Sequence, residues 1–307
     1  MTLELDALTT RKLAFAKQLF LRSKLLSEPY RSQSDKSLSV IIFDLVIETV
    51  LRTFVNLVKE KKIDDFKFPE LLNTVSELLK ENLTVDSFPL RTKLEHVHTI
   101  RNNVQHKGLH PSDLDIGDAY SYTQEFLQTF LPLVWGKNPD QIHLGDLIEK
   151  EDLREDINKA EEQLQKQNYK EAVKNAISAL GGTIASVEHL LIGWKTYSTM
   201  GMEGIMITDK SGNTKTDAQL LDAIKRMQET LWYVALGIDS VGYKKYEQIK
   251  QRFRDIDDEI VDTKPAMNVK PEDAEFMVSF CTETILQIQD RVGNIDFPYG
   301  KAWSYWS

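Results

Sequence analysis

Apolar residues recur every three or four positions along nearly the whole chain, and the alternating runs typical of strands are almost absent. This pattern restricts the chain to an all-α fold. In the first half it predicts helices over about 5–27, 36–61, 68–82, 88–107 and 115–135. In the second half it predicts helices over about 150–166, 168–200, 216–237, 240–261 and 271–292.

Residues 135–146 interrupt this periodicity. They read WGKNPDQIHLGD, in which glycines and a proline break any helix, and a highly charged helical stretch follows. A chain of 307 residues is long enough for two domains that each bury a core. We therefore predict two helical-bundle domains in tandem, 1–137 and 146–307, with a small β-hairpin insertion within 204–217 of the second.

The composition is that of a globular protein, with 41% hydrophobic and 28% charged residues. No uninterrupted apolar stretch is long enough to span a bilayer, and the first residues, MTLELDALTTRK, lack the apolar core of a signal peptide. These features predict a cytoplasmic protein that does not associate with membranes. The single cysteine, Cys281, excludes an internal disulfide and lies among apolar residues, which predicts a buried core thiol.

The net charge is −9, which excludes proteins that coat nucleic acid through a generally basic surface. Residues 91–110 differ from this negative net charge, because they contain four of the six histidines and only one acidic residue. Contact with nucleic acid is therefore expected to be local. The candidate contact residues in this segment are Arg91, Lys93 and Lys107.

The same segment contains IRNNVQHKG, in which four polar residues share one face of the predicted helix: His98, Asn102, Gln105 and His106. Arg101 lies between this face and an apolar one. Asn102 precedes His106 by one turn, so its amide can orient the imidazole. Gly108 predicts the end of the helix, which places His106 in the last turn, where the helix dipole favours an acid–base role.

The segment also fits the polar back of an ordinary helix. Arg91 and His96 have the same spacing as Arg101 and His106, so the bare pattern arises easily by chance. The second instance differs by its context: an asparagine follows the arginine, the helix ends there, and an acidic, aromatic helix comes next. Both interpretations remain open on these residues alone.

The segment IRNNVQH, followed by a turn and the helix DAYSYTQEFLQTFL, resembles the signature of the HEPN superfamily, the higher eukaryote and prokaryote nucleotide-binding domains. Those domains are compact helical bundles that share an arginine, a polar residue, three variable residues and a histidine near a helix end. The resemblance covers Leu5 to about Trp135. It implies that Arg101 and His106 form a catalytic pair and that Asn102 fills the polar position.

This resemblance implies a metal-independent ribonuclease that needs no cofactor. The 2′-hydroxyl of RNA is the nucleophile, His106 transfers a proton, and Arg101 stabilises the charge on the phosphate. His98, Gln105 and Glu48 would support the site. We therefore expect the protein to be a toxin or anti-phage defence effector that is restrained by an antitoxin or a regulatory protein.

A weak internal repeat relates residues 110–131 to residues 269–289, since both contain a proline, acidic helix-start residues and an aromatic helix. In the second copy the positions that match the motif are Arg254 and Glu259, so the histidine is lost. Active family members pair two motifs across a cleft. We therefore predict a homodimer formed through the first halves, while an asymmetric site and a loss of nuclease activity are the alternatives.

Glu48 has two possible roles. It lies on one helix stripe with Asp44 and Arg52, so it either contacts Arg101 or belongs to an ion-pair ladder. No metal site is predicted among the histidines, because they lie on different faces and Gly108 interrupts the helix.

The alternative function is a non-catalytic helical interaction module that binds a protein or RNA, which the acidic charge favours.

Overall fold

Helices account for 82% of the part of the chain that the computed structural model describes. That part comprises residues 2–59, 66–85, 88–192, 206–208, 214–216, 236–257 and 269–292. The all-α prediction is therefore confirmed. The chain divides into two units, Met1–Leu147 and Ile148–Ser307, and this division falls beside the predicted break at 135–146.

The first unit contains five helices, followed by two short 3-10 turns. The helices are α1 (Ala7–Leu26), α2 (Gln33–Lys59), α3 (Phe68–Leu83), α4 (Arg91–Lys107) and α5 (Asp113–Trp135). The 3-10 turns are Pro139–Gln141 and Leu144–Leu147.

The second unit contains four described helices and one hairpin. These elements are α6 (Glu151–Gln165), α7 (Tyr169–Ile192), β1 (Met206–Thr208), β2 (Thr214–Thr216), α8 (Ser240–Asp257) and α9 (Pro271–Val292). Strands β1 and β2 pair antiparallel, with Ile207 opposite Lys215. Helix α7 packs against α6 and α9. Most of the predicted helix 216–237 lies outside the described residues.

Helix α2 is the centre of the first unit, because it packs against α1, α3, α4 and α5. Its fully buried side chains follow the three- and four-residue spacing of an apolar helix face: Val40, Phe43, Ile47, Leu51 and Phe54. Helix α4 contributes Leu94, Val97 and Ile100 to the same core. This packing fixes which face of α4 meets α2.

Helix α4 ends where the sequence predicts. Gly108 adopts a left-handed conformation with φ of 64°, which glycine tolerates without steric cost, and its backbone N–H bonds to the carbonyl of Asn103. Ser112 then caps α5 through a reciprocal pair of hydrogen bonds with Asp115. The motif histidine therefore lies in the final turn of α4.

The loop after α4 is fastened to the first turns of α2. Gln33 donates a hydrogen bond to the carbonyl of Pro111 at 3.1 Å, and Ser37 Oγ lies 3.2 Å from His110 Nδ1. Lys36 forms an ion pair with the exposed Asp113 at 2.9 Å. These contacts tie the turn between α4 and α5 to one neighbouring helix.

Within the described ranges, no helix combines the length and the apolar character that crossing a membrane requires.

Cys281 provides a test of the packing of α9. Its side chain is fully buried, and this burial raises the pKa of the thiol well above its usual range. We expect its reaction with a disulfide reagent such as DTNB at pH 8 to be at least ~100-fold slower than in guanidinium chloride, because the thiol must first be exposed. The chain has one cysteine, so the absorbance change reports this site alone. Equal rates with and without denaturant would contradict the described packing.

Candidate functional site

The site is organised around a carboxylate in the core of the first unit. Asp44 lies on α2 within the apolar run SVIIFDLVIETV, and only 1% of its side chain is exposed. A buried carboxylate is costly unless it is paired and hydrogen-bonded. Helix α4 supplies both partners: His98 Nδ1 lies 3.1 Å from Asp44 Oδ2, and Arg101 Nε lies 3.4 Å from the same oxygen.

Arg101 is held at the edge of the core, as its position between a polar and an apolar face predicts. Its side chain is 24% exposed. Nε faces Asp44, and Nη1 donates a hydrogen bond of 2.9 Å to the amide oxygen of Asn102. Nη2 has no hydrogen-bond partner among the described residues. The guanidinium is therefore fixed on two sides while one nitrogen can still bind an anion.

His98 is fixed both by a hydrogen bond and by ring stacking. Its imidazole stacks on Phe68, the first residue of α3, with the ring centroids 4.1 Å apart and the planes 6° from parallel. Nδ1 also lies 3.2 Å from Asp44 Oδ1. Because Nδ1 faces a carboxylate, we assign the Nδ1–H tautomer or the doubly protonated ring to His98.

Asp44 and Phe68 were not among the predicted site residues. An aspartate flanked on both sides by apolar residues of a helix was nevertheless a usable signal, since buried charges are rare unless they are paired. The stacking of Phe68 had no such signal, because it depends on how α3 packs beside α4.

Glu48 does not contact Arg101 in the structure. Its carboxylate accepts a hydrogen bond of 3.2 Å from Arg52 Nη2, and Arg52 also donates to the carbonyl of Phe66 at 2.9 Å. Of the two alternatives drawn from the sequence, the ion pair with Arg52 is the one present. Asp44 is the α2 carboxylate that holds Arg101.

His106 and Gln105 lie at the exposed end of α4. Within the described part of the chain, neither makes a hydrogen bond or an ion pair. The expected support of His106 by Asn102 is replaced by the Arg101–Asn102 hydrogen bond. Arg101 and His106 project about 140° apart around the helix axis, so a single chain does not bring them together.

The candidate RNA-contacting residues differ in how their charge is compensated. Arg91 pairs with Glu95 at 2.9 Å, and Lys93 pairs with Glu125 at 2.6 Å. Lys107 is exposed, and within the described residues its ammonium group donates only to the amide oxygen of Asn103, at 2.9 Å. Lys107 therefore keeps an uncompensated positive charge next to His106.

Asp44, Glu48 and His98 are also close enough to hold a metal ion, since one ligand atom from each lies within 4.8 Å of the others. Each carboxylate, however, has a guanidinium nitrogen within 3.4 Å, from Arg101 or Arg52. These two arginines balance both negative charges, which opposes the binding of a divalent cation. An ion-pair network accounts for the proximity of the three residues.

The predicted degenerate motif of the second half stays a prediction. Arg254 belongs to helix α8, but its side chain and the whole of Glu259 lie outside the described residues.

Comparisons of the chain with protein-family models, with curated proteins and with solved structures found no match.

The contribution of Asp44 can be measured through stability. In Asp44→Ala, His98 and Arg101 lose a shared, desolvated partner, so we expect the free energy of unfolding of the first unit to fall by about 3 kcal/mol. Urea denaturation followed by circular dichroism measures this loss.

The matched control is Asp118→Ala, which removes the partner of His96 on the same helix. That pair is more exposed and longer, at 3.4 Å, so we expect its loss to cost less than about 1 kcal/mol. Equal losses in the two variants would show that Asp44 is not a special anchor.

Proposed function

We propose that the protein is a metal-independent RNA endonuclease in which Arg101 binds the scissile phosphate and His106 transfers a proton. One observation carries this proposal: the Arg101 guanidinium is held by a buried carboxylate and an amide while Nη2 is left to bind an anion. An arginine placed in this way can bind a phosphate without reorganising as negative charge develops on it.

The reaction uses the nucleophile that RNA contains. The 2′-hydroxyl loses a proton to a general base and attacks the neighbouring phosphorus, and the bond to the 5′-oxygen breaks. Arg101 stabilises the added charge on the non-bridging oxygens. The products are a 2′,3′-cyclic phosphate and a 5′-hydroxyl end.

The resemblance of IRNNVQH to the HEPN signature supports this assignment of Arg101, Asn102 and His106. Because Arg101 and His106 do not meet within one chain, we include a homodimer in the proposal. In it the ends of two α4 helices face each other, so that Arg101 of one protomer and His106 of its partner flank one phosphate. Lys107 then lies beside the substrate and adds positive charge.

An enzyme of this kind acts on RNA in the cytoplasm, where uncontrolled cleavage harms the cell. We therefore place it among toxins or anti-phage defence effectors that an antitoxin or regulatory protein restrains.

Exposed apolar side chains favour a second candidate function, a non-catalytic interaction module. Leu8 and Phe15 on α1 are 63% and 44% exposed, and Leu38 and Leu45 on α2 are 47% and 45% exposed. The two residues of each pair are seven positions apart and therefore lie on one face of their helix, and α1 packs against α2. A contiguous apolar patch formed by these two faces would be a surface for a protein partner. In that case the partner, and not RNA, is the ligand.

Cleavage of tRNA in EDTA tests the nuclease proposal. We expect the full-length protein to cleave it, and Arg101→Ala and His106→Ala to be slower by at least ~100-fold, since each variant removes charge stabilisation or proton transfer. Gel electrophoresis gives the rate, and treatment of the 3′ ends with a phosphatase that opens cyclic phosphates identifies the product.

The controls are Arg22→Ala and His96→Ala, which remove an exposed arginine on α1 and a histidine of α4 outside the proposed site; both are expected to cleave normally. Full cleavage by Arg101→Ala and His106→Ala would refute the proposal. No cleavage by the wild type, together with one protein partner bound equally by wild type and Arg101→Ala, would favour the interaction module.

A further inference from the structure

We propose that His98 is a second proton-transfer residue of this site, with Asp44 as the residue that positions it. This inference rests on the proposed nuclease function and adds a residue that the arginine–histidine motif does not contain. It assigns to His98 the protonation of the leaving 5′-oxygen, while His106 takes the proton of the 2′-hydroxyl.

The first support is that His98 is the imidazole held beside Arg101. His98 Nδ1 and Arg101 Nε both contact Asp44 Oδ2, so a phosphate bound by Arg101 lies next to the imidazole. His106 lies two helical turns beyond His98 and has no contact with Asp44.

The second support is the orientation of the ring. Asp44 holds Nδ1, and Phe68 stacks on the face of the imidazole, so both the position and the tilt of the ring are fixed. The side chain is 19% exposed, and Nε2 has no hydrogen-bond partner within the described ranges. A carboxylate on one ring nitrogen and an unengaged second nitrogen form the arrangement that acid–base histidines require.

The third support is the charge balance. Arg101 alone neutralises Asp44, so the carboxylate does not need a charged imidazole as well. Glu48 lies within 4.8 Å of Asp44 and His98, and Arg52 neutralises it. A protonated His98 therefore brings this group of five residues to one net positive charge. A phosphodiester carries one negative charge and therefore balances a site in which His98 holds the proton that it donates.

Two groups then share the proton transfers of one cleavage. The bond between the 2′-oxygen and phosphorus forms as the 2′-hydroxyl proton moves to the partner's His106. The bond between phosphorus and the 5′-oxygen breaks as a proton moves from His98 Nε2 to that oxygen. His98 ends neutral and His106 ends protonated, and exchange with water restores both.

The decisive variant is His98→Asn. The asparagine amide nitrogen takes the place of Nδ1, so it can still donate to Asp44, but nothing replaces Nε2. We expect cleavage of tRNA at least ~100-fold slower than wild type with little change in the unfolding temperature, and loss of the alkaline limb of the pH–rate profile. His96→Asn on the same helix is the matched control and is expected to cleave normally.

A modified substrate separates a chemical role from a structural one. An oligoribonucleotide that contains the mapped cleavage site, with sulfur replacing the bridging 5′-oxygen, releases a thiolate that needs no proton donor. We expect His98→Asn to cleave this substrate within about threefold of wild type, since only the step that His98 serves has been bypassed. A defect that is equal on both substrates would overturn the proposal. If His98→Asn is unstable, His98→Gln is measured on the same two substrates.

The outcomes distinguish this inference from the nuclease function itself. If Arg101→Ala is inactive and His98→Asn is fully active, His98 is structural and the nuclease function stands. If the wild type does not cleave RNA, both proposals fall. If EDTA abolishes cleavage and Zn²⁺ or Mn²⁺ restores it, a metal ion on Asp44, Glu48 and His98 replaces the proposed proton transfer.

Discussion

The first unit depends on the pairing of one buried carboxylate with two side chains of a neighbouring helix. Asp44 has almost no contact with solvent, and its charge is tolerable because His98 and Arg101 both face it. Apolar packing of Leu94, Val97 and Ile100 turns one face of α4 toward α2, and the pairing with Asp44 is compatible only with that rotation. The contacts that compensate the buried charge of Asp44 also hold the guanidinium of Arg101 and the imidazole of His98 at the surface.

Helix positions were largely predictable, because apolar periodicity is a local property of the chain. Helix α2 was expected over 36–61 and spans Gln33–Lys59, and the end of α4 was read correctly from Gly108. The start of α4 was expected at 88 and lies at Arg91, because Leu90 adopts a left-handed conformation that does not continue a helix. The 3-10 turns before the second unit had no periodic signal to reveal them.

Only the part of the site that lies on one helix, α4, was predictable from the sequence. Arg101 and Asn102 are adjacent in the sequence, and their position at the edge of the core follows from helical geometry. The partnership of Asp44 with His98 spans 54 positions and depends on the packing of α2 against α4. The arginine–histidine spacing drew attention to His106, whereas His98 and Arg101 are neighbours on α4 and only tertiary packing gives them Asp44 as a shared partner.

The shared carboxylate also has an evolutionary consequence. Because Asp44 is buried with two partners, none of the three residues can be substituted independently. Replacing the aspartate leaves His98 and Arg101 without their shared partner, and replacing both partners leaves a buried carboxylate unpaired. Descendants that abandon the site are expected to replace Asp44, His98 and Arg101 as a set, with apolar residues filling the space. A descendant that keeps Asp44 with only one of its partners would still carry the trace of the ancestral site, even after the exposed histidine at the end of α4 has been replaced.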